Sequence, residues 1–458
     1  MNASSHDRHP QIAGGAALPD PRMGRRGLFR VIGGAAAVGG VAWAGKFLEP
    51  ETAVGAAGPP DLYLAGTDGW ISLPRTPAIA PFHPDVLAPD PFTTYIFGFR
   101  NVTGMTDTQR LAQKNKAQHS APLFWVDQFD PANPQDFAVQ LTNLGLALRP
   151  DLFDAHTLHW HGFRNVIPFF DGEPSGSVSV PSGRQFTYIY RPRDPGTYMY
   201  HCHVEDVEHV HMGMTGLVFV RPLQDGQSLG GFTRFMYNDG DGSTGYDREF
   251  AMFLSEVWAE AHWADAHIQL PEWSDYRADF SLLNGRVYPD TLAPNGSIDP
   301  FHPVRDAGGD LIAPTGHPEL QYQPHSSLVR CNEGDRVALR FANLGFREQA
   351  MSLSGLRMRV VGRDATPMRG RDGTDTSYET DTLNIGPGES YDALFTAPTF
   401  SGGSGSSGDG YDTYLLFNRS YQRANNLAPG GFGGQATEVR VFPPGTVGPQ
   451  QYPNDWGV

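Results

Sequence analysis

Two short windows hold most of the side chains able to bind a metal or carry an electron. The first is His156-Thr157-Leu158-His159-Trp160-His161-Gly162, and the second is His201-Cys202-His203, followed by His209 and Met214. In a strand, residues two apart share a face, so His159 and His161 point together, as do His201 and His203, while Cys202 points the other way. One strand can thus feed two metal sites. On the Cys202 face, a thiolate, imidazoles from His156 and His209 and the thioether of Met214 make the ligand set of a blue copper electron-transfer site, with methionine as the weak axial ligand. Zinc also takes cysteine and histidine, but structural zinc sites usually gather several thiolates and do not need a thioether.

Strands must carry these residues, and the rest of the chain reads as strands. Alternating runs such as Phe186-Thr187-Tyr188-Ile189-Tyr190 and Arg336-Val337-Ala338-Leu339-Arg340-Phe341 are half-buried β elements. The 54 Gly and 38 Pro together make 92 residues, about a fifth of the 458, which suits turn-dense β structure. The later part repeats the earlier: Asn143-Leu144-Gly145 before the first histidine window corresponds to Asn343-Leu344-Gly345, and Ser182-Gly183-Arg184 to Pro387-Gly388-Glu389. A repeat of about two hundred residues is too long for a solenoid and implies two related domains. The expected fold is all-β: two tandem Greek-key β-sandwiches over 61–224 and 246–443, with a linker over 224–245 and a tail over 444–458. Ser401 to Gly410 reads as a mobile hairpin loop. Cys331, at the start of a strand ending in Phe341, reads as a buried small hydrophobe, and two cysteines cannot supply a disulfide framework.

With 34 basic against 50 acidic side chains the chain carries a net charge of −16, which excludes a nucleic-acid binder recognised by bulk charge. Arg25-Arg26 followed by a mild apolar run from Val31 to Ala44 resembles a twin-arginine export signal, with Ala42-Trp43-Ala44 as a cleavage site. The run is too short to span a bilayer, and no later segment qualifies, so residues 1–58 are expected to be signal and linker. The expected location is periplasmic, cell-surface or extracellular.

The order His-x-x-His-x-His-Gly, then His-Cys-His, then His and Gly-Met, resembles the multicopper oxidase family of cupredoxin-fold proteins, and the repeat resembles its two-domain members. The resemblance implies that His156, Cys202, His209 and Met214 bind a type 1 copper. It makes His159 a type 2 ligand and His161, His201 and His203 type 3 ligands. Asp171, in Asp171-Gly172-Glu173-Pro174, matches an acidic position that handles protons beside the oxygen-reducing cluster. Two departures stand out. Five residues separate His203 from His209 where the family commonly has three, which makes His211 an alternative ligand. In the second domain, Gln349, Ser352 and Ser354 stand where His156, His159 and His161 stand in the first, and Phe417, Asn418 and Arg419 replace His201, Cys202 and His203. A homotrimer, the usual way for two-domain members to join domains, would not restore those imidazoles. His262, His267, His302, His317 and His325 each read as surface or hydrogen-bonded histidines, and together they leave open a third ligand for a copper at His159 and His201.

The function expected from this is a copper oxidoreductase that takes electrons from a metal cation or a phenol and passes them through Cys202 to the histidine-bound copper and O2. Glu205, Asp206 and Glu208 could attract a cationic reductant. A non-enzymatic electron carrier or copper binder is the alternative, favoured by the bare second domain. A nitrite-reductase-like enzyme fits less well, because Thr157 and Leu158 fill the gap where that family places an acid.

Overall fold

The computed structural model describes residues 58–75, 79, 83–164, 166–403, 409–427 and 431–457. The expected twin-arginine signal and half of the Ser401–Gly410 loop, residues 404–408, lie outside them. Residues 58–458 form one compact unit.

Alternation of large apolar and polar residues sets the strands. Eight of them, β1 (Leu62–Ser72), β2 (Thr93–Asn101), β3 (Phe124–Asp127), β4 (Phe137–Gly145), β5 (His159–His161), β6 (Gln185–Tyr190), β7 (Gly196–His201) and β8 (Thr215–Arg221), form two sheets ordered β2-β1-β4-β6 and β3-β8-β7-β5. The inner faces bury Leu64, Phe97, Leu141, Trp160, Tyr190, Tyr200 and Val218 in one core. Each such side chain contributes about 1.5–3 kcal/mol by leaving water.

Twelve more strands follow: β9 (Arg248–Val257), β10 (Phe280–Leu283), β11 (Val329–Asn332), β12 (Arg336–Asn343), β13 (Gln349–Leu353), β14 (Met358–Arg363), β15 (Thr366–Pro367), β16 (Tyr378–Thr380), β17 (Thr382–Ile385), β18 (Ser390–Thr396), β19 (Asp412–Asn418) and β20 (Ala436–Phe442). Their sheets run β10-β9-β12-β18-β14-β15 and β11-β20-β19-β13-β17, so the order of the first sandwich recurs with extra edge strands. The parallel pairs recur too, β1 with β4 and β3 with β8 matching β9 with β12 and β11 with β20. The molecule is therefore all-β with two sandwiches of one topology, as the repeat implies. Cys331 is fully buried, but in β11 rather than at the head of the strand reaching Phe341; Asn332 to Asp335 make the turn between β11 and β12.

Two segments are more ordered than the sequence suggests. Over 224–245, Phe235, Met236 and Tyr237 are buried, and Met236 and Tyr237 pack in one cluster with Ala338, Val361 and Leu394. Over 444–458, Gln450 and Asn454 are buried and hydrogen-bonded to the backbone of Glu249 and Ala251. Linker and tail are thus parts of the packed body.

The sandwiches meet through Met199, Leu217, Phe219, Ala251 and Phe253, and through buried charges. Arg340 lies 3.1 Å from Glu249 and 3.4 Å from Asp392. Asp392 accepts hydrogen bonds from Thr197 Oγ1 (2.5 Å) and Tyr237 Oη (2.6 Å). Arg221 donates to Glu249 at 2.6 Å. Burial works against its charge, but Arg221 and Arg340 hold the Glu249 carboxyl down to about 2. Thr197 stands four residues before His201, so this lattice anchors the head of β7.

Candidate metal centres

Antiparallel pairing of β5 with β7 sets His159 opposite His201, Trp160 opposite Tyr200 and His161 opposite Met199. Trp160 faces the core, stacked on Tyr190 at 4.1 Å, so the pleat sends His159 and His161 to the other face. There the rings of His159, His161, His201 and His203 gather, with His159 5.2 Å from His201 and 5.0 Å from His203 between centroids. Ligand atoms of His159, His161 and His201 lie within 4.8 Å of one another. His159 Nδ1 lies 2.7 Å from the Asp171 carbonyl and His201 Nδ1 2.7 Å from the Cys202 carbonyl. A ring donating from Nδ1 leaves its Nε2 lone pair for a metal. Burial lowers the pKa of His159 and His161 and takes His201 to about 3, so these three are neutral, the form in which imidazole ligates.

The Asp171 carboxylate stands 3.6 Å from His159 Nδ1. Gly172 makes that approach possible: at φ +79° it passes so close to the Leu158 carbonyl that a Cβ would lie 2.4 Å from its oxygen. The second sandwich also reaches this cluster. A Cβ on Gly388, in the turn before β18, would lie 3.0 Å from His161 Nε2.

On the opposite face, His156, Cys202 and His209 bring ligand atoms within 4.8 Å of one another, all fully buried. Cys202 Sγ accepts from Thr157 N at 3.4 Å and lies 3.3 Å from His209 Nδ1. Met214 is also buried; its carbonyl accepts from Cys202 N, and its methyl shares the space beside Gly66 with His156. A Cβ on Gly66 would lie 2.6 Å from His156 Cδ2 and 3.2 Å from Met214 Cε. Both ring nitrogens of His156 are buried without a hydrogen-bond partner among the described residues. Leaving such groups unpaired costs about 1–3 kcal/mol each, so the donor set fits a bound metal. Burial opposes ionisation of Cys202, but His209 holds its thiol well below the usual range, toward the ligating thiolate.

The long interval between His203 and His209 is a helix, not an open loop. Asp206–Met212 is helical, with Glu205 at φ 45° before it and Gly213 at φ 122° after it. His209 therefore sits inside a helical turn, and Met214 N returns to its carbonyl at 2.9 Å. His211 points elsewhere. Its Nε2 accepts from Trp258 N at 3.0 Å, and its ring packs against His262, Trp273 and Tyr276, which removes it as the alternative ligand. Glu208 is half-buried near Asp265 and Arg149, so only Glu205 and Asp206 of the three acids are exposed.

The remaining histidines form no metal grouping among the described residues. His302 is exposed and His317 half-exposed, and they pair with Asp299 and Glu319; His267 lies 3.5 Å from Asp85. His262 and His325 are buried rather than superficial, His262 with Nδ1 2.6 Å from the Tyr95 carbonyl. One residue escaped the sequence reading. Asp154 lies 3.3 Å from His209 Nε2, and with Glu205 it brings carboxylate oxygens within 4.8 Å of that ring. The only signal was an acid two residues before His156.

Two sequence profiles, each described as multicopper oxidase, match residues 141–225 and 307–403. The chain is 25% identical over 253 residues to multicopper oxidase MmcO of Mycobacterium tuberculosis, matching 54% of this chain and 42% of that protein. It is 27% identical over 248 residues to L-ascorbate oxidase of Brassica rapa subsp. pekinensis, matching 52% of this chain and 37% of that protein. The chain thus matches less than half the length of either relative. Its fold is similar to that of a blue copper oxidase from Nitrosomonas europaea (TM-score 0.51, 19% identity, 83% of this chain and 85% of that one). It is also similar to multicopper oxidase mgLAC (TM-score 0.51, 20% identity, 85% and 88%). The two matched segments resemble multicopper oxidase domains, and the fold is that of cupredoxin-like sandwiches. Among the described residues no helix is long and apolar enough to cross a membrane.

Proposed function

We propose that the chain is a copper-dependent oxidoreductase, in which His156, Cys202, His209 and Met214 hold a type 1 copper and His159, His161, His201 and His203 hold a second copper site. The observation that carries this reading is that one strand end, His201-Cys202-His203, serves both groupings on opposite faces. Copper at these positions would supply one-electron redox chemistry. The chain's part is wiring and orientation: Cys202 and its neighbours give a through-bond path of a few bonds between the two groups. Asp154 fixes the His209 ring from its Nε2 side, and Asp171 stands where a carboxylate can take or give a proton beside His159. Asp154 and Glu205, both on the His209 side, support a cationic reductant such as a reduced metal ion, and a phenol donating to the same carboxylates is equally accommodated. O2 is the acceptor of this reading, and export places the protein outside the cytoplasm.

A second reading, a copper-binding or electron-transfer protein without oxidase activity, is favoured by one observation. Ser352 and Phe417, the register partners in β13 and β19 that correspond to His159 and His201, cannot ligate copper. A trimer of this chain would not supply the missing imidazoles. Copper per chain, with the electron paramagnetic spectrum, separates the readings. Two or more coppers with a type 2 signal or an oxygen-sensitive silent pair support the oxidoreductase; one copper with only a type 1 signal overturns it in favour of the carrier.

A further inference from the structure

A cleft of about 250 Å³ opens between the sandwiches, apart from both histidine groupings. The first sandwich lines it with Arg164, Arg193 and Pro195, and the second with Val361, Met368, Arg359 and Arg369. Four guanidiniums on one small cleft are unexpected in a chain of net charge −16. Asp194, Asp239 and Asp375 line the cleft too, and they do not use up all four guanidiniums. Asp239 spends its oxygens on Gln224, Gly242 and Thr244. Arg359 is spent on Asp375 (2.6 Å), Ser377 Oγ (2.8 Å) and the Ser243 carbonyl (3.4 Å), and one nitrogen of Arg369 on Asp241 (2.8 Å) and Ser243 Oγ (3.0 Å). Arg164 reaches Asp194 only at 3.7 Å. The Arg193 guanidinium has no ion pair among the described residues, where only its carbonyl is engaged, by Gln128. Each guanidinium offers five N–H donors in a planar fork that matches a carboxylate, and it is Arg164 and Arg193 that bring unspent donors to the cleft.

Between the arginines runs an apolar wall drawn from both sandwiches: Val361 is buried, Met368 and Pro195 half-buried, and Tyr237 closes the floor with its hydroxyl turned away to Asp392. Inorganic anions would leave that wall uncovered. We propose that this cleft binds a small organic carboxylate, with its anionic head on the arginines and its apolar body against Val361 and Met368. The geometry is that of a small-molecule site: concave, between domains, mostly formed, with a few convergent polar groups. No copper ligand takes part, so the site stands or falls independently of the metal centres.

Calorimetric titration of the full chain with benzoate and with its neutral isostere benzamide tests the assignment. Benzoate is expected to bind at least about tenfold more tightly than benzamide, and Arg193→Gln to weaken benzoate about tenfold by removing a charge-assisted donor. Arg191→Gln, whose side chain pairs with Asp136 away from the cleft, is expected to leave benzoate binding unchanged. Benzoate should also raise the melting temperature of the parent chain and of Arg191→Gln, but less in Arg193→Gln. Equal binding of benzamide, unchanged benzoate affinity in Arg193→Gln, or no benzoate binding at about 10 mM would overturn it. Binding of inorganic phosphate in place of benzoate would overturn the carboxylate class.

Discussion

The same place in the two sandwiches is built in two ways. In the first, β7 ends in His201 with Cys202 next, and buried His156, Cys202 and Met214 come together with His156 lacking any hydrogen-bond partner among the described residues. In the second, β13 and β19 pair in the same register, with Ser352 opposite Phe417, and Asn418 N bonds to the Gln435 carbonyl as Cys202 N bonds to that of Met214. Gln349, Asn418 and Gln435 thus replace His156, Cys202 and Met214. Asn418 Nδ2 donates to Gln349 Oε1 and Gln435 Oε1, both at 2.7 Å, and Gln349 Nε2 donates to Glu256 at 2.8 Å. The amide set satisfies itself, whereas the imidazole and thiolate set keeps lone pairs free. On the outer face, Ser352, Ser354, Asp381 and Arg419 line a shallow hollow where the first sandwich gathers imidazoles. The fold itself therefore needs no metal at this position; the need belongs to the side chains placed there.

Three substitutions, with a fourth as control, can break that contrast. The largest effect is expected from Cys202→Ser, which should abolish the visible thiolate band and electron transfer while circular dichroism shows the fold intact; a variant that stays blue would remove the type 1 assignment. Next, Asp171→Asn should slow oxygen reduction about a hundredfold in stopped-flow measurements while reductant oxidation stays nearly unchanged. Asp381→Asn, at the corresponding hollow, should change neither step, and equal slowing of both steps by Asp171→Asn would deny it a proton role. The smallest effect is expected from Asn418→Ala, about 2 kcal/mol lost in urea unfolding with copper content unchanged, because two buried carbonyl acceptors lose their donor. No loss of stability there would mean that the amide network is not what closes the second sandwich.

Much of this was legible because strands repeat every two residues and the turns reuse the same chemistry. Asn143 and Asn343 each hold the next glycine but one through the side-chain oxygen, at 2.8 and 2.9 Å, so the Asn-Leu-Gly repeat marked equivalent turns. The spacing of two between His159 and His161 sets both imidazoles on one face from the sequence alone. What was not legible depends on partners distant in sequence. His211 is set aside by Trp258, forty-seven residues away. Asp154 gains meaning only when His209 arrives beside it in a helix that a short, acidic, β-branched run does not announce. The segment over 224–245 is rich in glycine and aspartate, yet Phe235 to Tyr237 bury themselves because the neighbouring sandwich offers an apolar surface.

The buried lattice of Glu249, Arg340 and Asp392 has a consequence for how the molecule comes apart. A fragment ending at Arg221 would keep every imidazole and the thiolate, but Thr197 at the head of β7 would lose its carboxylate and Arg221 its glutamate. Separating the halves also parts Arg221 from Glu249 and leaves Arg340 alone against two carboxylates, so neither half loosens without unbalancing a buried charge. The half without ligands is the bench on which the ligand-bearing strand is clamped, and heating should release both in a single cooperative step.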